Sequence, residues 1–438
     1  MTADISRPSG AGRLAVCVAL VALASDGAGA VVFTTHYRDA AGRGFFDPNL
    51  GPARREAFEY ALSIWESRVT ERSTTNVDVY ASFEPLGGGA SSAILGSGGP
   101  ASFTAGFAGA QSNTAYPSAL ANYLAGKDLN GSKAEVEISF NSDVDDPVVL
   151  GRTDWYYGLD GNAGPHGIDL VSVSLHELAH SLGFISAFNS DGTNGIDLGS
   201  RGVLTNVFDR YLVNGAGNRL IDLAPRPSNV TRPVYWDGPF GVQQYQLHGG
   251  DGRPPMYAPS QFSADSSLSH LDEDRFSGQF ELMTPFASSD THLIDDVTRG
   301  ILADIGWQSA GVGDADASGQ VGSIDLLAIM NRLGKSYGQA GYWAAADLNS
   351  DGSIGAADLE LAKEQFGRKG LVGARPGRSL VAGRMVGFDE PVFLPADGYR
   401  YAIYATVPEP VTALILVVGI AVAWRRRAAA GVPAPAEK

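Results

Sequence analysis

The chain has 438 residues, 32 basic against 48 acidic, for a formal net charge of −16. Hydrophobic residues at 44% exclude wholesale disorder, and the acidic balance excludes the phosphate-neutralising surface of a nucleic-acid binder. At about 100–200 residues per domain, the length predicts two or three folded units.

From the N-terminus, Arg7 and Arg13 precede the apolar run Leu14–Leu23, and Ala28-Gly29-Ala30 supplies small residues for cleavage. This layout predicts a signal peptide over residues 1–30, cut before Val31. The single cysteine, Cys17, falls inside it. The exported chain is therefore expected to carry no disulfide, no cysteine nucleophile and no thiolate metal site, although it enters an oxidising compartment.

Residues 31–308 read as one mixed domain. Between Arg54 and Val69, Ala57, Tyr60, Ala61, Ile64 and Trp65 recur at helical spacing and make one face apolar. Asn76–Phe83 and Ala134–Phe140 alternate like half-buried strands, with Val136, Ile138 and Phe140 on one face. Gly87–Gly109 is rich in Gly, Ser and Ala without a period, which predicts a long surface loop with at most one short strand. Strands and helices intersperse without regular βαβ spacing, so the expected class is α+β. Ala187–Ser269, dense in Gly, Pro and Asn, reads as a loop-rich insertion.

The chemistry is carried by Leu170–Ile185, within which stands Ser174-Leu-His-Glu-Leu-Ala-His-Ser-Leu-Gly-Phe. Val171, Leu175, Leu178 and Leu182 form an apolar helical stripe. His176 and His180, four apart, project from one face, where two imidazoles can share a zinc ion. Glu177 beside the first histidine suits a general base acting on a water that the metal polarises. Catalytic zinc keeps three protein ligands and one open position. His248, His270 and His292 are candidates for the third, Asp191 or Asp197 would serve an aspartate variant, and no glutamate occurs between Glu177 and Glu273. The loop residue His166 precedes the first ligand by ten positions.

Ser269-His270-Leu271, Glu281-Leu-Met283-Thr-Pro285 and Leu302-Ala-Asp-Ile-Gly-Trp307 follow in order. With the HExxHxxGF segment, this series resembles the leishmanolysin-type metzincins, over residues 170–307. The resemblance implies a metzincin-like catalytic domain, a mixed twisted sheet with the HExxH helix beneath it. It makes His176, His180 and His270 the zinc ligands, Glu177 the general base and Met283 the Met-turn residue under the metal. The family's long insertion before the third histidine fits the stretch between His180 and His270. The family's cysteines are absent here, so latency by a cysteine switch is excluded, and Val31–Arg54 leaves no room for a long propeptide. Metzincin substrates lie antiparallel to an edge strand, for which Val136–Phe140 is the candidate.

After Trp307 the composition changes. Asp314, Asp316, Ser318, Gly319, Gln320 and Asp325 stand at positions one, three, five, six, seven and twelve of a loop. Asp347, Asn349, Asp351, Gly352, Ser353 and Asp358 repeat the pattern. Alternating oxygen donors, a turn glycine at six and a carboxylate at twelve are EF-hand calcium geometry, with Gln320 and Ser353 giving backbone carbonyls. Val321 and Ile354 at position eight are expected to pair the two loops. Aspartate at twelve and the short helices expected at Leu326–Leu333 and Leu359–Phe366 resemble type I dockerin, over 312–368. That resemblance implies a small α-helical module that either stiffens a stalk or docks a cohesin-like partner.

Residues 369–406, with alternation at Tyr399–Tyr404, read as a linker or a small strand pair. Val407-Pro-Glu-Pro410, the uncharged run Val411–Trp424 and Arg425-Arg426-Arg427 resemble the PEP-CTERM sorting signal of bacteria, over 407–427, followed by a tail at 428–438. This implies a short C-terminal transmembrane helix with its basic end cytoplasmic, an exosortase-type processing enzyme, and delivery to the cell envelope, outer surface or medium.

The expected function is an exported zinc metalloendopeptidase acting on protein or peptide, with zinc at the catalytic site and calcium in the dockerin-like loops. The alternatives are a surface calcium-dependent docking protein with a vestigial metal site, and a zinc amidase acting on a non-protein amide. No glycosidase carboxylate pair stands out in residues 31–308.

Overall fold

The computed structural model describes residues 29–71, 75–264, 266–276, 282–287, 290–369, 392–395 and 401–406. Nearly all of the expected signal peptide lies outside the described residues, as do Glu281, the sorting segment at 407–427 and the tail at 428–438. No helix among the described residues is long and apolar enough to cross a membrane.

In chain order the first seven strands are β1 (Gly29–Tyr37), β2 (Thr70–Glu71), β3 (Thr75–Glu84), β4 (Ser92–Pro100), β5 (Ser102–Ala105), β6 (Thr114–Pro117) and β7 (Val136–Asn141). The helices are α1 (Gly51–Arg68), α2 (Ser118–Ala125), α3 (Leu170–Leu182), α4 (Pro239–Leu247), α5 (Asp296–Ile305), α6 (Ser323–Met330) and α7 (Ala356–Glu364). The architecture is mixed α+β.

The principal sheet runs β4-β7-β3-β1-β2, with a further strand, Tyr401–Thr406, outside β4. β1, β3 and β7 are parallel, and α1 links β1 to β3. β4 reverses direction against β7. The period-2 pattern read from the sequence explains the pairing. Val77, Val79, Ala81 and Phe83 turn one face of β3 into the core, and Phe83 lies opposite Phe140 of β7. Helices α1 and α3 cover that face, and the Trp65 indole donates to Leu175 O at 3.1 Å to join them. Trp307 Nε1 grips the other end of α3 through Leu182 O at 2.7 Å.

Three expectations are corrected. Val136–Phe140 is not an edge: β7 is flanked by β3 on one side and β4 on the other. Gly87–Gly109 is not a loop, because it contains β4 and β5. Its missing hydrophobic period has a steric cause. A Cβ at Gly96 would stand 3.0 Å from Glu177 Oε1, and one at Gly98 2.7 Å from both Glu177 Cβ and Glu177 O. Bulky alternation is therefore impossible where α3 lies on β4. The third correction concerns residues 369–406. The strands Val392–Pro395 and Tyr401–Thr406 do not pair with each other; they pair with β5 and β4.

Because the Gly98 contact includes the helix backbone, Gly98→Val is expected to destabilise the fold by about 1–3 kcal/mol. Chemical denaturation of the variant beside Ser97→Val, one residue away on the opposite face, checks this. Equal losses would show that close packing of α3 on β4 is not the reason for the glycine.

The insertion after α3 is more ordered than its composition suggests. Leu212–Asn214, Val234–Trp236 and Pro255–Met256 form a small antiparallel sheet, and α4 packs on α5. Asp304 of α5 accepts from Trp236 Nε1 and from the amides of Phe240 and Gly241, all at 2.8–2.9 Å. Burial pushes its carboxyl up to about 6.

Candidate metal centres

Helix α3 begins where Asp169 caps it, accepting Ser172 N at 2.7 Å. It ends at Gly183, whose φ of 118° suits glycine and whose Cβ position would lie 2.9 Å from Ile305 Cδ1. Every residue of the helix is buried. A fully buried helix with two histidines and a glutamate at its centre must satisfy those groups internally.

His176, His180 and His270 come together. Their Nε2 atoms stand 3.0 Å (176–180), 3.2 Å (176–270) and 3.2 Å (180–270) apart, and all three residues are wholly buried. Each Nδ1 faces a backbone carbonyl: Leu282 O at 2.7 Å, Phe184 O at 2.8 Å and Ser266 O at 2.9 Å respectively. A carbonyl only accepts, so each Nδ1 carries the proton and each Nε2 presents a lone pair. Burial pushes His176 down to about 4, and burial with the neighbouring imidazoles holds His180 and His270 well below the ordinary range. Three neutral imidazoles with converging lone pairs repel one another unless a cation stands among them. At a Zn–N distance of about 2.0–2.1 Å, tetrahedral ligands sit about 3.3 Å apart, so the cluster fits a zinc-type ion.

The 90-residue separation of His270 from His180 is closed by the insertion. Tyr257 N donates to His270 O at 2.8 Å, and Leu271 N donates to Met283 O at 2.8 Å. Met283 is wholly buried, and its neighbour Leu282 supplies the carbonyl that orients His176. Ser186, where a compact metzincin pattern would place the third histidine, instead donates its amide to Ser269 Oγ at 2.8 Å. Glu177 is buried between α3 and β4.

The other candidates fall elsewhere. His248 is exposed and pairs with Asp296 at 2.9 Å. His292 bonds the α3 cap Asp169 through Nε2 and donates Nδ1 to Ser350 O, both at 2.9 Å. Burial alone would lower His292, but the Asp169 carboxylate outweighs it and holds the ring above its ordinary value. Asp191 and Asp197 are exposed and accept local amides, and His166 lies in an exposed turn. Sequence reasoning missed Asp169, Trp65 and Trp307 as supports of α3. Of these, the aspartate directly before the apolar stripe was readable as a helix cap.

The second centre lies in the acidic repeat. Asp314, Asp316 and Asp325 offer oxygens within 4.8 Å of one another. Asp314 accepts Ser318 N and Gly319 N, while Asp325 accepts Asp316 N and Gly322 N. The second loop repeats this: Asp347 accepts Asp351 N and Gly352 N, and Asp358 accepts Leu348 N and Gly355 N. Burial, with nearby carboxylates adding to it, pushes both Asp314 and Asp347 up to about 6, a cost that a bound cation would relieve. The helices after the loops start a turn earlier than expected because Asp325 and Asp358 bond the amides of Gly322 and Gly355. Val321 and Ile354 do not pair. Val321 bonds Gly367 and Arg368 through its backbone, whereas Ile354 joins Ile329, Ala346, Leu348 and Ala362 in the module's core.

Two calcium-type loops, each followed by a short helix, define a duplicated cation-binding module. Residues 312–367 match the dockerin type I domain. Dockerin modules bind calcium, typically dock to cohesin partners and occur on extracellular or cell-surface proteins. No curated protein matches the chain.

The module is fastened to the first domain through its second loop. Tyr60 Oη of α1 donates to Asp347 Oδ2 at 3.1 Å and accepts Gly352 N at 2.8 Å. Calcium at a hundredfold excess over its dissociation constant is expected to add about 2.7 kcal/mol per site. Asp325→Ala and Asp358→Ala should each delete one site by calorimetry. Only the second is expected to weaken amide-exchange protection in α1, because only that loop touches Tyr60. Equal effects on α1 would show that the contact does not transmit.

Proposed function

We propose that residues 31–308 form an exported zinc metalloendopeptidase and that the dockerin module docks it through calcium. The observation that carries the reading is the convergence of three buried, Nδ1-anchored imidazoles beside Glu177. A zinc ion held there would supply a Lewis acid that polarises the scissile carbonyl and acidifies a water. The chain's own residues do the rest. The carbonyls of Leu282, Phe184 and Ser266 hold the three rings in the ligating tautomer. The Glu177 carboxylate accepts the proton of the attacking water and returns it to the leaving amine. The packing of α3 against Gly96 and Gly98 keeps that carboxylate in place.

A second reading, a calcium-dependent docking protein, is favoured by the dockerin match and by the surface of α6, which leaves Ile324, Leu327 and Met330 exposed. Zinc-loaded protein, incubated with a mixed peptide library and followed by mass spectrometry, separates the two. New peptide termini support the peptidase. An intact library, with zinc bound and the edge strand described below displaced, removes the peptidase and leaves the docking protein or the amidase.

A further inference from the structure

The strand Tyr401–Thr406 pairs antiparallel with β4, from Tyr401 opposite Gly98 to Thr406 opposite Ser92, with an irregularity at Ile403/Tyr404. Upstream, Val392–Pro395 pairs antiparallel with β5, from Val392 opposite Ala105 to Pro395 opposite Ser102. Both pairings run in one direction along consecutive strands, β4 in the principal sheet and β5 in a second one. The β4 edge is the one nearest the centre, since Gly96 and Gly98 of β4 lie against Glu177 and the added strand also passes alongside α3. Tyr401–Ile403 thus stands opposite Gly96–Gly98, the part of β4 nearest the general base. Within the strand Tyr401–Thr406, Tyr401, Ile403, Tyr404 and Thr406 are good strand formers.

An antiparallel sheet edge binds an extended peptide through main-chain hydrogen bonds, and it accepts one strand at a time. We infer that residues 392–395 and 401–406 occupy the edges of β5 and β4 in cis, as an internal competitor for any extended peptide that would pair there. Tethering gives such an occupant an effective concentration on the order of millimolar, which weakens the binding of a free peptide without abolishing it. The self-restraint this implies rests on the peptidase reading; the strand competition does not.

The test uses the full chain carrying Glu177→Ala, so that no probe is consumed. The probe is a fluorescent peptide copying residues 392–406, followed by polarisation. Ala402→Pro with Ile403→Pro removes a ladder amide whichever residue donates it, and this variant is expected to bind the probe at least tenfold more tightly than its parent. Ser97→Cys with Ala402→Cys joins directly opposed residues in a chain whose only other cysteine is Cys17. Oxidised, it should exclude the probe; reduced, it should bind like the parent. Amide exchange in α3 verifies that each variant is folded, and the cysteine pair decides if the proline variant is not. Equal probe affinity in oxidised and reduced forms overturns the inference. Restoring Glu177 then separates the two readings. Tighter binding by the proline variant with faster peptide cleavage supports both, and tighter binding without cleavage by any form supports the strand competition while the peptidase reading falls.

Discussion

Glu177→Ala is expected to lower the rate of peptide hydrolysis by about 10²–10⁴-fold, the usual contribution of a positioned general base, with zinc still bound. In the proposed reading three histidines supply the ligand set, each held by its own carbonyl, so loss of the carboxylate removes no ligand. Truncation does open a space where α3 meets Gly96 and Gly98. Glu177→Gln, which keeps the volume, is the control: it should retain the parent's melting temperature and zinc content and share the loss of activity. Cleavage at the parent's rate by both variants would remove Glu177 from the reaction.

A different result is expected for His270→Ala. Here zinc affinity should fall by more than the roughly 10–100-fold that losing an outer partner of a ligand costs, because a direct ligand is gone. His248→Ala should leave zinc content unchanged, since His248 is exposed and bonds Asp296. Zinc titration against a chromophoric competitor measures both variants. If His248→Ala loses the metal and His270→Ala keeps it, the assignment of the third ligand is wrong.

The legible part of this protein was local. His176, Glu177 and His180 are set by spacing on one helix, and α3 forms because Asp169 caps it and Gly183 stops it. The calcium loops are equally local, with donors at fixed offsets within a few residues. Strands Thr75–Glu84 and Val136–Asn141 matched their alternating pattern because each buries one face. The β4 region was misread because its glycines answer to Glu177, far away in sequence, rather than to a period of their own. The edge position of β7 was misread for a related reason: which strand lies outermost depends on partners, and β4 came from a stretch without a strand signature.

Taken alone, the sequence determined the HExxH helix and the duplicated acidic loop of the calcium module. Those features depend on residue type and short spacing. Tertiary structure decided that His270, rather than His248 or His292, completes the cluster, because the insertion's hydrogen bonds bring it within 3.2 Å of the other two rings. It also decided that the second calcium loop rests on Tyr60 and that residues 392–395 and 401–406 lie along β5 and β4. Each of these is a contact between distant segments, formed when buried polar groups and open strand edges find partners, and local pattern does not encode which partner is found.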